Sequence, residues 1–457
     1  MSGQAIRRDV VVLGGGPAGL AAALASARSG ARSLLIEREA RLGGILKQCV
    51  HDGFGLRRFG EALTGTEYAL RFSRLVPESG VEAMTGTFVH EVARDEDSGL
   101  YRLVAVLPER GIFAIETTSL VVATGCRERS DRQILIHGDR PAGVFTAGLA
   151  QRLVNVEGLL PGKRALILGS GDIGLIMARR LLLEGMEVEG VYEIKGEPSG
   201  LARNIAQCLI DFDIPLHLST TVTEIHGRRR VESVTVADVD PRGTPIPGSE
   251  REIPCDTLIL SVGLIPENEI LLSLGLPLDA ATKGPRIDQL GGVGMPGLFA
   301  CGNAVHVNDL VDDVSDSGEI AGRAAAAFAT RSGSPAPEGP GPGGFPIEAT
   351  LSQLQNVEPA EGSRIPLKVG AGFLYAVPQF IDPRIPGKVD IHFRSNATLR
   401  EGGRVSLHAG GRVLAERRFV ALRPPEAESL SFDPAAIGGD QALILELERF
   451  SKAGAAP

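Results

Sequence analysis

The sequence is short of cysteine and of long apolar runs, and both absences exclude classes of protein. Its five cysteines are Cys49, Cys126, Cys208, Cys255 and Cys301, and no two of them have a Cys-x-x-Cys spacing. The sequence therefore predicts no zinc finger, no in-chain iron–sulfur cluster and no other metal site, and it suits a reducing compartment. No apolar run reaches the length needed to span a bilayer, so we expect no membrane span.

Length and charge set further bounds. A chain of 457 residues is too long for one hydrophobic core, which predicts two or three domains. The N-terminus enters the strand pattern DVVVLGGG almost at once and leaves no room for a cleavable signal, so we expect a cytoplasmic protein. The formal net charge of -9 gives no support to nucleic acid as a partner.

One pattern occurs twice along the chain. The segments DVVVLGGGPAGLAAALASARSG and RALILGSGDIGLIMARRLLLEG each begin with an apolar run, turn through glycines and continue as an Ala/Leu-rich helix. A second apolar strand follows each helix, as in a parallel βαβ unit. The sequence therefore predicts an α/β protein with two mononucleotide-binding folds.

Each repeat carries a G-x-G-x-x-G motif between its strand and its helix. The glycines are Gly14, Gly16 and Gly19 in the first repeat and Gly169, Gly171 and Gly174 in the second. The first glycine makes the turn, the second lets the backbone approach a pyrophosphate, and the third permits close helix packing. Glu37 and Glu193 end the second strands, where a carboxylate can bond a ribose. Glu193 would repel a 2′-phosphate, and although Lys195 can blunt that repulsion, NADH is favoured over NADPH.

The rest of the chain predicts further strands and a separate C-terminal domain. Segments GLYRLVAVLP and GIFAIETT, and later TVTEIHGRRRVESVTVADV, predict β-meanders, while SLVVATG predicts its own apolar strand. Residues 331–346 are rich in Pro, Gly and Ser, which predicts a linker. Apolar residues then alternate at Val389, Ile391 and Phe393, at Val405 and Leu407, and at Leu443, Leu445 and Leu447. This period of two predicts a small antiparallel, sandwich-like β domain.

The closing segment GLFACGNAVHVNDLVDDVSDSGEIAGRAAAAFA, together with VVATGCRER and LILSVGLIPEN, resembles the pyridine nucleotide-disulfide oxidoreductase family. The resemblance implies two Rossmann-like domains of the glutathione-reductase type, one for FAD and one for NAD(P). The implied FAD domain covers residues 1–140 and 265–330, and the NAD(P) domain covers residues 141–264. The linker then covers residues 331–346, and the C-terminal β domain covers residues 347–457.

The resemblance also implies cofactor contacts. The implied cofactor-binding residues are Gly14, Gly16, Pro17, Ala18, Gly19, Glu37, Arg38, Gly43, Gly44, Ala123, Thr124, Gly125, Gly169, Gly171, Asp172, Gly174, Glu193, Gly263, Gly302, Asn303, Asp313, Val314 and Ser315. Asn303 replaces the usual Asp, but an amide still bonds a ribityl hydroxyl. DSGE, residues 316–319, fits a capping box that opens a helix, and Gly318 fits a close backbone approach. In the family this helix start lies beneath the flavin pyrimidine, with the N–H groups of Asp313 to Ser315 directed at it.

The candidate catalytic residues are Cys49 and His51. Dithiol reductases of the family carry Cys-x-x-x-x-Cys here, but LKQCVH holds one cysteine, so electrons cannot leave the flavin through a disulfide of this chain. Cys49 is either a thiol beside the flavin, forming a transient adduct or sulfenic acid, or a small buried hydrophobe, which is commoner. His51 either exchanges a proton with flavin or acceptor, or is structural. His306, Asp309 and Asp312 either line the same cavity or are solvated loop residues.

The segments GGILKQCVHDGFGLRRFGEALTGTEYA and LYAVPQ resemble a branch of NAD(P)/FAD-dependent oxidoreductases of NADH-oxidase type. Its members are often encoded beside an FAD-dependent glycerol-3-phosphate dehydrogenase-like protein and a small cysteine-rich protein. The resemblance implies such proteins as partners, and a homo- or hetero-oligomer. Related α subunits of opine and cyanide-forming dehydrogenases carry a C-terminal cysteine cluster for a 2Fe-2S centre, which this sequence lacks, so that subgroup is disfavoured.

The combined interpretation is a cytoplasmic electron-transfer flavoprotein, an FAD-dependent NAD(P)H oxidoreductase. It transfers hydride between nicotinamide and FAD and passes electrons to or from an external acceptor or a partner dehydrogenase subunit. One alternative is a disulfide or persulfide reductase that uses Cys49 alone. Another is an FAD-binding structural subunit of a dehydrogenase complex, which the intact second glycine motif argues against.

Overall fold

The structure is a computed structural model that describes residues 5–332, 364–438 and 442–450. The α-helices are α1 (Pro17–Arg28), α2 (Leu56–Phe59), α3 (Gly65–Ser73), α4 (Ala147–Asn155), α5 (Asp172–Leu183), α6 (Ala202–Cys208), α7 (Glu269–Ser273) and α8 (Val311–Arg331). Within this part of the chain, no helix combines the length and the apolar character that crossing a membrane requires. Residues 333–346 of the predicted linker lie outside the described residues.

The β-strands fall into three groups along the chain. The first group is β1 (Ile6–Leu13), β2 (Ser33–Ile36), β3 (Glu82–Met84), β4 (Phe88–Arg94), β5 (Tyr101–Leu107) and β6 (Gly111–Val122). The second is β7 (Cys126–Glu128), β8 (His137–Gly138), β9 (Val144–Thr146), β10 (Arg164–Leu168), β11 (Glu187–Tyr192), β12 (Leu216–His217), β13 (Thr220–His226), β14 (Ser233–Asp238), β15 (Arg251–Pro254), β16 (Thr257–Leu260), β17 (Leu264–Pro266) and β18 (Leu298–Ala300). The third is β19 (Ile365–Val369), β20 (Phe373–Val377), β21 (Phe380–Ile381), β22 (Val389–Ser395), β23 (Gly403–Ala409), β24 (Arg412–Phe419), β25 (Ala427–Phe432) and β26 (Leu443–Arg449).

The described chain divides into two compact units. The first takes in the described residues of Met1–Lys47, His51–Cys126 and Pro266–Pro457, and the second takes in Gln48–Val50 and Arg127–Ile265. The first unit contains a mononucleotide fold and, from residue 364 onward, a β domain that we call the C-terminal domain. The second unit is the other mononucleotide fold. The domain boundaries implied by the resemblance stay predictions.

The mononucleotide fold of the first unit is built on one mixed sheet. Its strand order is β3-β2-β1-β6-β5-β4, with β18 also pairing β6. Strands β3, β2, β1, β6 and β18 run parallel to one another. Strands β4, β5 and β6 form an antiparallel meander. The separate strands predicted at GIFAIETT and SLVV are one strand, β6. The polar residues at the join do not break it because Thr117 and Ser119 are buried and their hydroxyls donate to the carbonyls of Asp9 and Gly297 at 3.1 and 2.9 Å.

Helices α1 and α8 cover this sheet and pack at close range. A Cβ atom on Gly318 would lie 2.2 Å from the carbonyl oxygen of Ala18, and one on Gly322 would lie 2.1 Å from that of Ala22. Such distances exclude any side chain at the two glycines. The close approach predicted for Gly318 therefore has a partner, the backbone of α1.

The predicted start of α8 at Asp316 is wrong. The helix begins five residues earlier, at Val311, and Asp316 lies inside it, where it forms ion pairs with Arg57 and Arg58. The earlier start has a physical reason, since acidic residues in the first turn, Asp312 and Asp313, favour a helix N-terminus. In this helix Glu319 likewise pairs with Arg58.

The second unit contains a parallel sheet and a small meander. The parallel sheet has the order β12-β11-β10-β16-β9, and helix α5 follows β10 directly. The meander has the order β15-β14-β13-β8. The second glycine repeat therefore forms the strand–turn–helix that its sequence predicts, at the centre of its sheet.

The C-terminal domain consists of two sheets around one apolar core. Their orders are β21-β19-β26-β23-β24 and β20-β22-β25. The alternating residues predicted to be buried lie in this core, which includes Ile391, Phe393, Leu407 and Leu445 at 0% exposure. One difference from the predicted antiparallel domain is that β19 pairs β26 in parallel.

Candidate functional site

The first glycine turn joins β1 to α1, and two of its three glycines are required by the protein's own packing. Gly14 has φ +103°, and a Cβ atom on it would lie 2.4 Å from the carbonyl oxygen of Ala123. A Cβ atom on Gly19 would lie 1.7 Å from the carbonyl oxygen of Gly14. Any side chain at either position would push α1 away from the sheet.

The middle glycine has no such internal requirement. Gly16 is the N-cap of α1 with φ -76° and ψ -175°, which any residue can adopt. The nearest atom that a Cβ on Gly16 would meet is the Cα of Gly44, at 3.9 Å. The protein therefore leaves this position open at the start of α1, where unpaired N–H groups suit an anion. An open position here fits the backbone approach of a pyrophosphate.

Glu37 fixes the shape of this turn. Its side chain is buried, at 6% exposure, and its carboxylate accepts the N–H groups of Gly15 at 2.6 Å and Glu39 at 2.7 Å. Gly43 donates its N–H to the carbonyl of Gly15 at 2.7 Å. Each carboxylate oxygen keeps a second lone pair, so Glu37 can still accept a ribose hydroxyl.

The second turn, between β10 and α5, repeats this arrangement. Gly169 has φ +96°, and a Cβ atom on it would lie 2.1 Å from the carbonyl oxygen of Ser261. A Cβ atom on Gly174 would lie 2.6 Å from the carbonyl oxygen of Gly169. At Gly171, in contrast, the nearest atom would be the hydroxyl oxygen of Ser261 at 3.4 Å, an ordinary contact. The protein's own packing therefore does not require glycine at this middle position either.

Glu193 holds the second turn as Glu37 holds the first. It is 4% exposed, and it accepts the N–H of Ser170 at 3.1 Å, the hydroxyl of Ser170 at 2.5 Å and the N–H of Lys195 at 3.1 Å. Asp172, the first residue of α5, accepts bonds from Leu201 and Asn204 and so fixes the loop before α6. Both turns thus fit a dinucleotide, with a buried carboxylate beside each.

The remaining predicted cofactor contacts of the first unit cluster around the same turn. Pro17 and Ala18 form the first turn of α1, and Gly302 lies against Ala18, where a Cβ atom on it would be 2.7 Å from that of Ala18. Thr124 donates its hydroxyl to the carbonyl of Glu267 at 2.6 Å. The side chain of Glu267 pairs with the exposed Arg38 at 3.3 Å.

Other residues predicted to contact the cofactors lie where the backbone turns at the ends of strands. Gly125, with φ +75°, accepts the N–H of Glu267 at 2.9 Å, and Ala123 donates to the carbonyl of Leu13 at 2.8 Å. In the second unit Gly263, with φ +104°, accepts the N–H of Arg129 at 3.1 Å. These residues turn the backbone at the ends of strands.

Asn303 organises a loop. Its amide oxygen accepts the N–H of Asn308 at 3.0 Å and the side-chain amide of Asn308 at 3.2 Å, and its amide nitrogen lies 3.7 Å from the sulfur of Cys126. These bonds join two residues of the loop between Gly302 and α8 and so restrain its conformation. A ribityl contact by Asn303 stays a prediction.

The start of α8 is held by residues that the sequence did not single out. Arg57 donates its backbone N–H to Asp312 at 3.1 Å and its guanidinium to Asp313 at 2.7 Å. The hydroxyls of Tyr68 and Ser315 lie 2.8 Å apart, both buried. Because α8 begins at Val311, the N–H of Val314 already bonds Leu310 at 3.4 Å, and the open N–H groups belong to the residues from Val311 to Asp313.

Cys49 belongs to the second unit, where it is buried beside α4. Its sulfur lies 3.7 Å from the amide oxygen of Gln151, and burial raises the pKa of the thiol to about 12. Gln48 donates to the carbonyl of Gly148 at 2.7 Å, and Asn155 donates to the carbonyl of Gln48 at 2.8 Å. The thiol is therefore protonated at neutral pH, which agrees with the structural interpretation of Cys49.

His51 and His306 both lie in the first unit. The ring of His51 is 5.0 Å from that of Phe54. His306 is 8% exposed, and burial, with the neighbouring His392 and Arg394, lowers the pKa of its imidazole to about 3. Of the loop residues predicted to be either cavity lining or solvated, His306 and Asp312 are buried and Asp309 pairs with Arg394.

Comparison with characterised proteins finds similarity to proteins that are named as enzyme subunits. The chain is 29% identical over 282 residues to the HcnB subunit of hydrogen cyanide synthase from Pseudomonas aeruginosa, covering 58% of this chain and 59% of that protein. It is 24% identical over 335 residues to an opine oxidase subunit from Agrobacterium tumefaciens, covering 70% of this chain and 64% of that protein. For an alkyl hydroperoxide reductase subunit from Staphylococcus aureus the identity is 25% over 305 residues, covering 65% and 54%.

The chain thus spans less than two thirds of each of these relatives. The first two bear the names of the cyanide-forming and opine enzymes, the subgroup that the missing cysteine cluster disfavours.

Solved structures share the fold. Thioredoxin reductase of T. acidophilum superposes with a TM-score of 0.58 at 21% identity, over 71% of this chain and 99% of that one. Bacillithiol disulfide reductase Bdr of Bacillus cereus superposes with a TM-score of 0.55 at 18% identity, again over 71% and 99%. These likenesses confirm the predicted α/β fold class, with FAD- and NAD-type Rossmann domains.

A family model described as pyridine nucleotide-disulphide oxidoreductase matches residues 8–328, which include both glycine turns and the loop that leads into α8. Members of this family are FAD-dependent oxidoreductases that bind FAD and NAD(P)H. The chain belongs to the pyridine nucleotide-disulphide oxidoreductase family.

Proposed function

We propose that the chain is an FAD-dependent NADH oxidoreductase that exchanges electrons with an external acceptor or a partner dehydrogenase subunit. One observation carries the proposal: in both glycine turns a Cβ atom on the middle glycine, Gly16 or Gly171, would make only ordinary contacts, so the protein's own packing does not require glycine there. A chain that binds two dinucleotides needs both positions open. A structural subunit that never contacts nicotinamide needs only the first.

The second site supports NADH as the coenzyme. Glu193 is buried, and Ser170 and Lys195 together donate three hydrogen bonds to its carboxylate. Those donors stabilise a charged carboxylate at the end of β11, which favours a ribose with a free 2′-hydroxyl and disfavours a 2′-phosphate. NADPH is the weaker coenzyme in this proposal.

The first site holds FAD in this proposal. The turn from Gly14 to Gly19 accepts the pyrophosphate at the start of α1, and Glu37 bonds the adenosine ribose. The open N–H groups at the start of α8 would hold the flavin pyrimidine, and Arg57 and Tyr68 keep that helix start in place. When bound, FAD supplies a ring that accepts or donates hydride. His51 is the side chain that we propose exchanges a proton with flavin or acceptor.

Electrons do not pass through Cys49 in this proposal. A single thiol with a pKa of about 12 has no useful thiolate population at neutral pH. The single-cysteine disulfide or persulfide reductase is therefore the weaker alternative. The acceptor is an external molecule, such as oxygen or a quinone-like compound, or a partner subunit, and flow from a partner to NAD⁺ is equally compatible.

A partner subunit is part of the proposal. The three relatives are named as subunits, of hydrogen cyanide synthase, of opine oxidase and of alkyl hydroperoxide reductase. We propose an FAD-dependent dehydrogenase and a small cysteine-rich electron-transfer protein as partners, with the C-terminal domain taking part in assembly. Deletion of residues 347–457 followed by size-exclusion chromatography tests the last point, since a smaller oligomer supports it and an unchanged oligomeric state contradicts it.

The central experiment is anaerobic mixing of the purified protein with NADH while the flavin absorbance band is followed. We expect rapid bleaching in the wild type and in Cys49→Ser, and strongly slowed bleaching in Gly171→Val, whose side chain fills the second open position. The Gly171→Val protein also serves as a control for flavin content, because its first site is intact.

Two results would overturn the proposal. A wild-type protein that holds FAD but is not bleached by NADH or NADPH supports the structural-subunit alternative. Loss of acceptor turnover in Cys49→Ser, with normal bleaching, supports the thiol mechanism.

A further inference from the structure

The C-terminal domain docks on the first mononucleotide fold through the segment LYAVPQ, Leu374 to Gln379. Val377 is 3% exposed and packs in the apolar core under the first sheet. Gln379 and Ile287 are bonded reciprocally, since the N–H of Gln379 donates to the Ile287 carbonyl at 3.0 Å and the N–H of Ile287 donates to the Gln379 side chain at 3.0 Å. The segment therefore seats the domain in one defined position.

A second reciprocal pair lies close by. The side chain of Gln289 donates to the carbonyl of Asp382 at 2.7 Å and accepts the N–H of Asp382 at 2.9 Å. Arg364 forms an ion pair with Asp288 at 2.6 Å, and Asp288 is 4% exposed. These contacts give the interface a buried polar component, which fixes geometry more strictly than apolar packing does.

From this position the C-terminal domain reaches the loop between Gly302 and α8. Arg394, on β22, forms an ion pair with Asp309 of that loop, and the Arg394 side chain is only 13% exposed. The other carboxylate oxygen of Asp309 accepts the N–H of Ala427, at the start of β25, at 2.7 Å. Both oxygens of this loop carboxylate are thus bonded by the C-terminal domain.

The remaining donors of Arg394 are also in use. Its Nε donates to the hydroxyl of Tyr375 at 2.8 Å, and one terminal nitrogen donates to the carbonyls of Pro424 and Pro425 at 3.1 and 2.5 Å. With the bond to Asp309, four of its five N–H groups have partners within the protein. An arginine so occupied has little capacity to bind a substrate anion, but it holds its partner rigidly.

The loop that Arg394 holds includes Asn303, which is predicted to contact FAD. It begins at Asn303, it ends where α8 begins, and the ring of His306 in its middle lies 5.8 Å from that of Tyr375 and 6.4 Å from that of His392. The Nδ1 atom of His306 is buried and has no hydrogen-bond partner among residues 5–332, 364–438 and 442–450. This unpaired atom is a hydrogen-bonding position that a ligand bound against the loop would fill.

We propose that Arg394 is a positioning residue for FAD: through Asp309 it fixes the loop between Asn303 and α8, so that the C-terminal domain completes the flavin site. The inference rests on the FAD part of the proposed function and not on the oxidation of NADH. We call the Arg394–Asp309 ion pair the clamp. Without the clamp, the loop must be ordered when FAD binds, and the entropic cost of that ordering weakens FAD binding. The residues that contact FAD directly are unchanged.

The test compares Arg394→Met, Asp309→Asn and the double variant with the wild-type holoenzyme. A matched control is Arg417→Met, because Arg417 is another C-terminal-domain arginine whose ion pair, with Glu428, stays within that domain. The measurements are the rate of FAD release, from the rise in flavin fluorescence on dilution, the visible flavin spectrum and the midpoint potential of the bound flavin.

We expect each single variant to release FAD at least about tenfold faster, since removing one partner of this partly buried ion pair leaves the other charge without its partner. The double variant should be no worse than the worse single variant, the potential should shift, and Arg417→Met should match the wild type. A purely structural role would not move the potential of the flavin that remains bound.

The proposal is overturned if Asp309→Asn and Arg394→Met both keep wild-type release rates and potentials. If Arg394→Met fails to fold, Asp309→Asn alone decides, because it keeps the guanidinium and the C-terminal core intact. A wild type that retains FAD but is not bleached by NADH contradicts the proposed function only, and the release rates still test the clamp.

Discussion

The sulfur of Cys49 lies 3.7 Å from the amide oxygen of Gln151, on helix α4 of the second unit. The side chain of Gln48 donates to that same oxygen at 3.2 Å, so Gln48 and Cys49 both contact the side chain of Gln151. The short segment Gln48–Val50 is thereby fastened to the second unit, although the residues on both sides belong to the first. Cys49 therefore belongs to a buried group of hydrogen-bonded side chains.

This burial predicts slow alkylation of Cys49. Because burial raises the pKa of the thiol to about 12, its thiolate fraction at pH 8 is roughly one in ten thousand, far below that of an ordinary cysteine. We expect iodoacetamide to label Cys49 in the native protein more than about 100-fold more slowly than in the urea-denatured chain. Site-resolved mass spectrometry measures both rates, and similar rates in the two states would show that the thiol is reactive after all.

His306 predicts a loss of stability in mild acid. Its folded-state pKa is lowered to about 3, whereas an unfolded histidine has a pKa near 6.5, so the unfolded chain binds the proton more tightly. The contribution is fully present above pH 6.5 and is lost as pH falls toward 3, by at most about 5 kcal/mol.

The measurement is the thermal midpoint at pH 7.5 and pH 5.0 for wild type and His306→Gln. The wild type should lose more stability between these pH values than the variant, which carries no titrating ring at that position. Equal losses would contradict the burial of a neutral imidazole. His392 and Arg394 are the same in both proteins, so the comparison isolates the ring of His306.

The open position at Gly16 predicts separate effects on folding and on FAD binding. A valine there finds its Cβ 3.9 Å from the nearest atom, so the apoprotein of Gly16→Val should melt within about 2 °C of the wild-type apoprotein. Its flavin content, from the ratio of absorbance at the flavin band to that at 280 nm, should fall roughly tenfold because the side chain occupies the pyrophosphate position. Gly19→Ala is the contrasting variant, since its Cβ would lie 1.7 Å from a carbonyl oxygen and should destabilise the fold itself. Normal flavin content in Gly16→Val would refute the cofactor fit.

Glu193 predicts the coenzyme preference. In Glu193→Gln the amide oxygen can still accept from Ser170, which preserves the turn, while the negative charge that would meet a 2′-phosphate is gone. We expect the ratio of NADPH to NADH efficiency, as kcat/KM with an artificial acceptor, to rise about tenfold. Glu197→Gln, an exposed neighbour, should leave the ratio unchanged. An unchanged ratio in Glu193→Gln would remove Glu193 from coenzyme selection.

The glycine turns could be predicted from sequence because their constraints are local. Gly14 and Gly19 sit within six residues of each other, and the apolar runs around them determine strand and helix. The burial of alternate residues such as Ile391 and Phe393 followed from period alone. The start of α8 was missed because Asp316 resembles an N-cap, yet its charge is satisfied by Arg57 and Arg58 from a distant segment.

The clamp on the loop could not be predicted for a related reason. Arg394 and Asp309 are 85 positions apart and belong to different domains, and no period or motif joins them. Only LYAVPQ marked the segment that brings them together. Likewise spacing does not reveal that Gln48 donates to the side chain of Gln151 and accepts from the side chain of Asn155, contacts that join Gln48–Val50 to the second unit.

The interlocking of α1 and α8 has a consequence for the newly made protein. The buried face of α1, nine consecutive residues from Ala18 to Ser26, is synthesised before the second unit, but the helix that covers it ends at Arg331, after that unit. Until α8 is made, the Ala- and Leu-rich face of α1 that α8 covers stays exposed while the second unit is synthesised. The second unit can therefore fold first. The first fold is therefore completed late in synthesis, after its two separated chain segments have met.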